Sequence, residues 1–291
     1  MVNVMVGPYR TLRSRMNGVG YLPDERLIPY LELLGFGLAV LIQTFDLRYN
    51  LIYALVERWR PETHTFHLLF RECTITLKDV AVQLGLLIDG SVITGISTIS
   101  ESTALCYDLL ESLLVMLSQS LQVNFKHLLG IATERDVMCA VRAYIMHIRK
   151  GVLMLEANNN KVHLMYLSLL IDLHNIRSYS WSSSVLAMLY RELYQTTKSY
   201  AVDICGYLIL IQTWALYRMP FLASVSHKSY VFPPTNRWST YSGIWRSYTV
   251  PIYRQMIETH ARVGILYEWE TEEKRKLPNS PLLCHCCSLV P

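Results

Sequence analysis

The sequence predicts a mainly α-helical single domain carrying a small β-hairpin, an α+β fold rich in helix. Three observations predict it. Hydrophobic residues make up 52% of the 291-residue chain and charged residues 17%, a balance that supplies a large buried core. Apolar residues recur at helical spacing through most of the chain. Only within residues 65–77 does the period drop to two, as it does in half-buried strands. The domain is expected to span 20–267, between an N-terminal arm at 1–19 and a divergent, disordered tail at 268–291.

In DLRYNLIYALVERW, residues 46–59, Leu51, Leu55 and Trp59 stand four apart, with Ile52 and Val56 beside them. Charged Arg48, Glu57 and Arg58 fall between, so the segment reads as an amphipathic helix. Pro61 ends it by forcing Arg60 out of the α region. Phe66 and Leu68 then alternate with Thr65 and His67, and Cys73, Ile75 and Leu77 alternate with Thr74 and Thr76. These two runs predict a hairpin, although their connection LFRE lacks the residues that mark a turn type. Thr76 and Asp79 have the spacing of a capping box, in which hydroxyl and carboxylate satisfy each other's backbone N–H. A helix therefore starts there, with Gly85 or Gly90 as its stop.

Residues 91–100 read as extended or looped. Helices are predicted over ALCYDLLESLLVMLSQSL (104–121) and RDVMCAVRAYIMHI (135–148), with Lys150-Gly151 as a stop and EANNNK (156–161) as a turn. VHLMYLSLLIDLHNI (162–176), SVLAMLYRELY (184–194) and 201–219 are three more, the last ended by Pro220. Residues 229–251 are loop-like and aromatic, and PIYRQMIETHARVGIL (251–266) returns to helix. The most apolar run, 201–222, is interrupted by Asp203 and Gln212 and closed by Arg218 and Pro220. It predicts a core helix and no membrane span. No signal peptide is read at the N-terminus, and several cysteines sit inside apolar patterns, so an intracellular, reducing compartment is expected.

Candidate chemistry is sparse. His64, His67 and Cys73 are zinc-ligand types, but positions 64 and 67 of an extended chain face opposite sides of a sheet. They read as two surface or edge histidines and a core cysteine. Cys284-His285-Cys286-Cys287 are consecutive, too strained for one tetrahedral zinc, and read as an oxidation-prone tail. Asp89-Gly90-Ser91 reads as a helix-terminating turn. Neither a phosphate-binding glycine loop nor a nucleophile elbow occurs. No catalytic, cofactor-binding or metal residue is nominated, and no cofactor or small-molecule substrate is expected. The net charge of +4 is diffuse, and its short clusters (Arg10, Arg13 and Arg15; Lys274, Arg275 and Lys276) read as solvated surface. The polar rim bearing Arg58, Arg60, Glu62 and His64 is the candidate partner surface.

ALVERWRPETHTFHL, ECTITLKDVAVQLGL and IDG are followed in order by NNNKVHLMYLSLL, YSWSSSVLAMLYREL, GYLILIQTWALYRMPFLA and YRQMIETHAR. Together they resemble the plant mobile domain, a Maintenance of Meristems-like family also labelled aminotransferase-like. The resemblance covers roughly 20–267. It implies a mostly helical nuclear domain with roles in meristem maintenance, transposable-element and repeat silencing, and genome stability. It also implies a phosphatase-like protein partner, and it carries over no catalytic residue. No motif nominates a Schiff-base lysine, and the metal-binding segments of a phosphatase are missing. A non-enzymatic interaction module is the expectation; the alternatives are a nucleic-acid-binding protein of mobile-element origin and an enzyme with an unrecognised site. The family commonly has glycine where Arg71 and Ser183 stand and proline where Leu87 stands. A glycine lost where φ must be positive costs roughly 1–2 kcal/mol, against a total stability of about 5–15. The expectation is therefore a diverged, transposon-derived copy of marginal stability.

Overall fold

A computed structural model describes residues 23–42, 47–69, 71–93, 109, 132–148, 168–198, 208–222, 233–238 and 248–260. Its α-helices are α1 (Ile28–Leu33), α2 (Tyr49–Val56), α3 (Leu77–Leu84), α4 (Glu134–Ile148), α5 (Trp181–Thr196), α6 (Leu208–Arg218) and α7 (Val250–His260). A three-stranded antiparallel sheet, ordered β1 (Trp59–Arg60), β2 (Thr65–Leu68), β3 (Arg71–Cys73), lies between α2 and α3 in the chain. The predicted helix-rich domain with a small hairpin is what forms. The expected arm at 1–19, helix at 104–121, stop at 150–151, turn at 156–161 and tail at 268–291 lie outside the described residues, apart from Leu109.

Helix α6 is the centre. Every residue from Leu208 to Leu216 is buried, the behaviour of a helix that is apolar all round. Helices α2 and α3 and the 3₁₀ turn Pro234–Trp238 pack against it, and α5 packs on α3. Among the described residues no helix is long and apolar enough to cross a membrane. Gln212 and Thr213 of α6 each find a partner, whereas the buried Trp214 Nε1 has none among the described residues. Gln212 Oε1 accepts from the backbone N–H of Arg48 at 2.6 Å. The Thr213 hydroxyl donates to Gln83 Oε1, and the Thr235 hydroxyl donates to the Gln83 carbonyl.

The capping box predicted at Thr76 and Asp79 is present. Asp79 Oδ2 accepts from the Thr76 N–H at 2.8 Å and the Thr76 hydroxyl at 2.7 Å, and the Asp79 N–H donates back to Thr76 Oγ1 at 3.2 Å. Its other oxygen, Oδ1, accepts from Arg218 Nη2 at 3.0 Å. The Asp79 side chain is wholly buried and that of Arg218 is 18% exposed. A buried carboxylate is tolerable only when both oxygens are satisfied and its charge is opposed. This pair therefore joins the start of α3 to the end of α6. A second box, at Thr133 and Asp136, opens α4 with the same T-x-x-D spacing. Its T-x-x-D spacing is a local signal that the sequence carries.

Of the two predicted stops for α3, the structure uses Gly85. It is left-handed at φ 66°, and a Cβ on it would lie 2.2 Å from Leu38 Cβ. Asp89-Gly90-Ser91 is not a helix-terminating turn. Ser91 instead forms a parallel bridge with Tyr179, its N–H donating to the Ser178 carbonyl at 2.6 Å. A Cβ on Gly90 would meet that same carbonyl oxygen at 2.4 Å.

Other expectations are corrected. Helix α2 stops at Val56, and Trp59 belongs to β1, paired with Phe66. The four-residue spacing that placed Trp59 on a helix also suits a strand residue whose ring enters the same core. The hairpin gains β1 as a third strand, and β3 ends at Cys73, so Leu77 opens α3 instead of closing a strand. The described part of the predicted 162–176 helix is 3₁₀ at 168–170 and Leu173–Ser178. Asp172 breaks the helix there, because its carboxylate accepts from the His174 N–H at 2.9 Å and Asn175 Nδ2 at 2.8 Å. Arg71 lies in a strand and Ser183 in a helix, and His64 is the non-glycine with positive φ among the described residues. The expected cost of replacing glycine at 71 and 183 therefore does not arise. Ser183 instead donates its N–H to Ser180 Oγ at the α5 cap.

Arg218→Met leaves the Asp79 carboxylate buried without its cation. It should lower the unfolding free energy in urea by about 3 kcal/mol, more than Thr133→Ala costs at the exposed cap of α4. Equal losses would show that the buried pair contributes little.

Candidate functional site

The turn Pro61–His64 joins β1 to β2, with Arg60 opposite Thr65. Its last residue, His64, has φ 53°, a conformation that L side chains rarely adopt. Two contacts hold it. The Thr74 hydroxyl donates to the His64 carbonyl at 2.6 Å, and the imidazole stacks on Tyr190 at 5.2 Å with the rings 3° from parallel. Tyr190 is itself fixed by donating to the Ile75 carbonyl at 2.8 Å. Trp59 lies 5.3 Å from Tyr190, Phe66 5.0 Å from Trp59, and Trp214 5.2 Å from Phe66. An aromatic column thus runs from the exposed turn to the central helix, so the turn is anchored on the core.

The proposed rim residues are placed differently from one another. Arg60, Glu62 and His64 are exposed. The Arg60 guanidinium donates to the Trp59 carbonyl at 3.1 Å. Arg58 turns away from the rim. Its Nη1 donates to the Ala54 carbonyl at 2.6 Å and its Nη2 to Glu258 Oε1 at 2.8 Å, with the side chain only 13% exposed. Burial lowers its pKa, opposed by the Glu258 and Glu57 carboxylates. Glu57 in turn holds Arg254 through two hydrogen bonds, one from Nε at 2.7 Å. These crossed pairs clasp α7 to the end of α2.

His64, His67 and Cys73 go three ways. His67 Nε2 lies 3.2 Å from Glu72 Oε1 and 3.2 Å from Thr63 Oγ1, within a polar network on the outer face of the sheet. Cys73 points inward, its Sγ 3.9 Å from the Phe66 carbonyl oxygen. Burial pushes its thiol up to about 12, with Arg218 and Arg71 opposing the shift. Among the described residues no three His, Cys, Asp or Glu side chains are placed to hold one metal ion. Arg10, Arg13, Arg15, Lys274, Arg275, Lys276 and the Cys284–Cys287 run lie outside the described residues.

One surface feature escaped sequence reasoning. An open groove of about 750 Å³ runs between α1, α4 and residues 171–177. Its walls come from three distant segments, so no local motif marks it. The available signal was the surplus of apolar residues, since Leu33 and Ile171 remain 64% and 50% exposed.

The plant mobile domain model matches residues 35–283. The chain is similar to an Arabidopsis thaliana "Serine/threonine-protein phosphatase 7 long form homolog", 39% identical over 220 residues, which is 72% of this chain and 16% of that protein. It is also similar to "Protein MAIN-LIKE 2" of the same plant, 36% identical over 66% of this chain and 30% of the relative. "Protein MAIN-LIKE 1" from Arabidopsis thaliana is 35% identical over 68% of this chain and 41% of its own length. The chain thus spans less than half the length of these curated relatives. No solved structure matches it.

Burial of Cys73 has a chemical consequence. With its thiol near 12 instead of the ordinary 9.0, native Cys73 should alkylate with iodoacetamide at mildly alkaline pH about a thousandfold more slowly than in urea, read site by site by mass spectrometry. The sign for stability follows. Below about 9 the thiol is protonated in both folded and unfolded chains; between 9.0 and about 12 only the unfolded thiol ionises, so Cys73 contributes a loss of stability as pH rises through that window. A Cys73→Ala variant should lose less stability over the same interval, measured by urea unfolding at each pH.

Proposed function

This chain belongs to the plant mobile domain family, and on that premise we propose that it is a non-enzymatic protein-interaction module. It acts in the nucleus, in meristem maintenance, silencing of transposable elements and repeats, and genome stability. Its partner is a phosphatase-like protein. The reading is supported first by how the reactive side chains are used. Asp79 caps α3 and pairs with Arg218, Arg58 clasps α7, His67 pairs with Glu72, and Cys73 faces the core. Each is occupied in holding the fold together.

The observation that carries the proposal is the exposed turn. Arg60, Glu62 and His64 are presented to solvent, and the ring of His64 is locked to the core through Tyr190 and Trp59. A rigid, charged projection backed by aromatic packing loses little entropy on binding, which is what an interface anchor requires. The matching region also occurs within a longer relative named as a phosphatase homolog. Domains joined in one polypeptide commonly act together, which favours a phosphatase-like protein as the partner of a separate copy.

The test is affinity purification of the tagged chain from plant nuclei. A phosphatase-like protein should co-purify, and recovery should fall at least tenfold with the double variant Arg60→Glu and Glu62→Lys while the melting temperature stays unchanged. Repeated absence of such a protein, or capture indifferent to the double variant, counts against the proposal.

A further inference from the structure

The groove between α1, α4 and residues 171–177 shares no lining residue with the turn. We propose that it docks a short acidic amphipathic segment of a partner protein, apolar residues inward and a carboxylate on Arg177. This inference rests on the interaction-module reading and adds to it a second surface and the chemistry that surface selects.

The apolar part of the argument starts with α1. Leu31 is fully buried and Leu34 nearly so, and these two fasten the helix to the core. Leu33 is left 64% exposed, and Ile171, which lines the same groove, is 50% exposed. Exposed large aliphatic side chains lining one open depression, rimmed by charge, mark a protein-binding surface. At about 750 Å³ the groove has room for several side chains. It is open to solvent, which suits the apolar face of a peptide better than an enclosed small molecule.

The polar part chooses the peptide's charge. Arg135, Arg142 and Arg177 line the groove against Glu134 and Asp172. Both oxygens of Asp172 are engaged, one by the His174 N–H at 2.9 Å and the other by Asn175 Nδ2 at 2.8 Å. Arg142 is pinned at the edge, its Nε donating to the Leu170 carbonyl at 2.9 Å. Arg177 is exposed and makes no ion pair with any described residue. An incoming carboxylate would supply its first charged partner, a charge-assisted contact at the rim of an apolar site. The lining carries three guanidinium groups against two carboxylates, a net positive charge that disfavours a basic segment.

The experiment uses the full chain as bait for a random peptide library displayed on phage. Enriched peptides are then synthesised with a fluorescent label and titrated by anisotropy. Expected is enrichment of sequences with apolar residues at helical spacing and Asp or Glu beside them. Leu33→Glu and Arg177→Glu should each weaken binding at least tenfold with the melting temperature unchanged, and Arg60→Glu should leave it intact. Enrichment of basic peptides, or no enrichment, overturns the proposal. So does a Leu33→Glu variant that melts at a lower temperature, because the chain's own residues would then cover the groove. Concentration-dependent dimerisation abolished by Leu33→Glu would assign the face to a second copy and also overturn it. Peptides lost with Arg60→Glu but kept with Leu33→Glu would sink this inference and leave the turn-based module standing.

Discussion

A helix without a solvent face dictates the architecture. Leu208 to Leu216 of α6 are buried on every side, so the remaining elements have to enclose it. Burial on that scale creates a polar problem, since Gln212 and Thr213 travel inward with their apolar neighbours. The solution reaches far along the chain: Arg48 supplies a backbone N–H to Gln212, and Gln83 meets Thr213 and Thr235. At the helix's end Arg218 emerges just far enough to oppose the Asp79 carboxylate. Each contact satisfies a group that would otherwise cost a few kcal/mol in an apolar setting. Together they specify which helix lies where, a role that apolar packing fills less selectively.

This economy shapes what is left for function. Among the described residues, Asp79, Arg58, His67 and Cys73 are absorbed by the fold, and two surface features with no shared residue stand out. One is a stiff turn whose exposed histidine is continuous, ring by ring, with the core. The other is a groove where aliphatic side chains exceed what the core can enclose. The two differ in physical character, one a charged projection and the other an apolar recess. A partner, or two partners, would recognise them by different forces.

Within the sequence, local signals were read well where local physics decides. The Thr76–Asp79 box, the alternation of Phe66 and Leu68, and the choice of Gly85 or Gly90 as a stop all involve neighbours within a few residues. The second box at Thr133 and Asp136 obeys the same rule and could have been found by it. Errors cluster where two conformations suit one pattern. Trp59 fits a helix period and a strand face equally, and only its pairing with Phe66 separates them. Residues 173–178 carry helical apolar spacing, yet the Asp172 side chain competes for the backbone and tightens it to 3₁₀. The rim was named from the sequence, but the inward turn of Arg58 depends on Glu258, 200 residues away.

The sequence alone determined the helix-rich class, the small sheet, the core identity of the helix at Leu208–Arg218 and the family, because periodicity, capping and segment order are encoded in short windows. Tertiary structure alone decided that Asp79 finds Arg218, that Arg58 is taken by α7, that His64 rests on Tyr190, and that Leu33 and Ile171 line one open groove. Those outcomes need residues brought together from more than a hundred positions apart. Their energies depend on burial and on opposing charge, which no window of sequence contains until the chain has closed around α6.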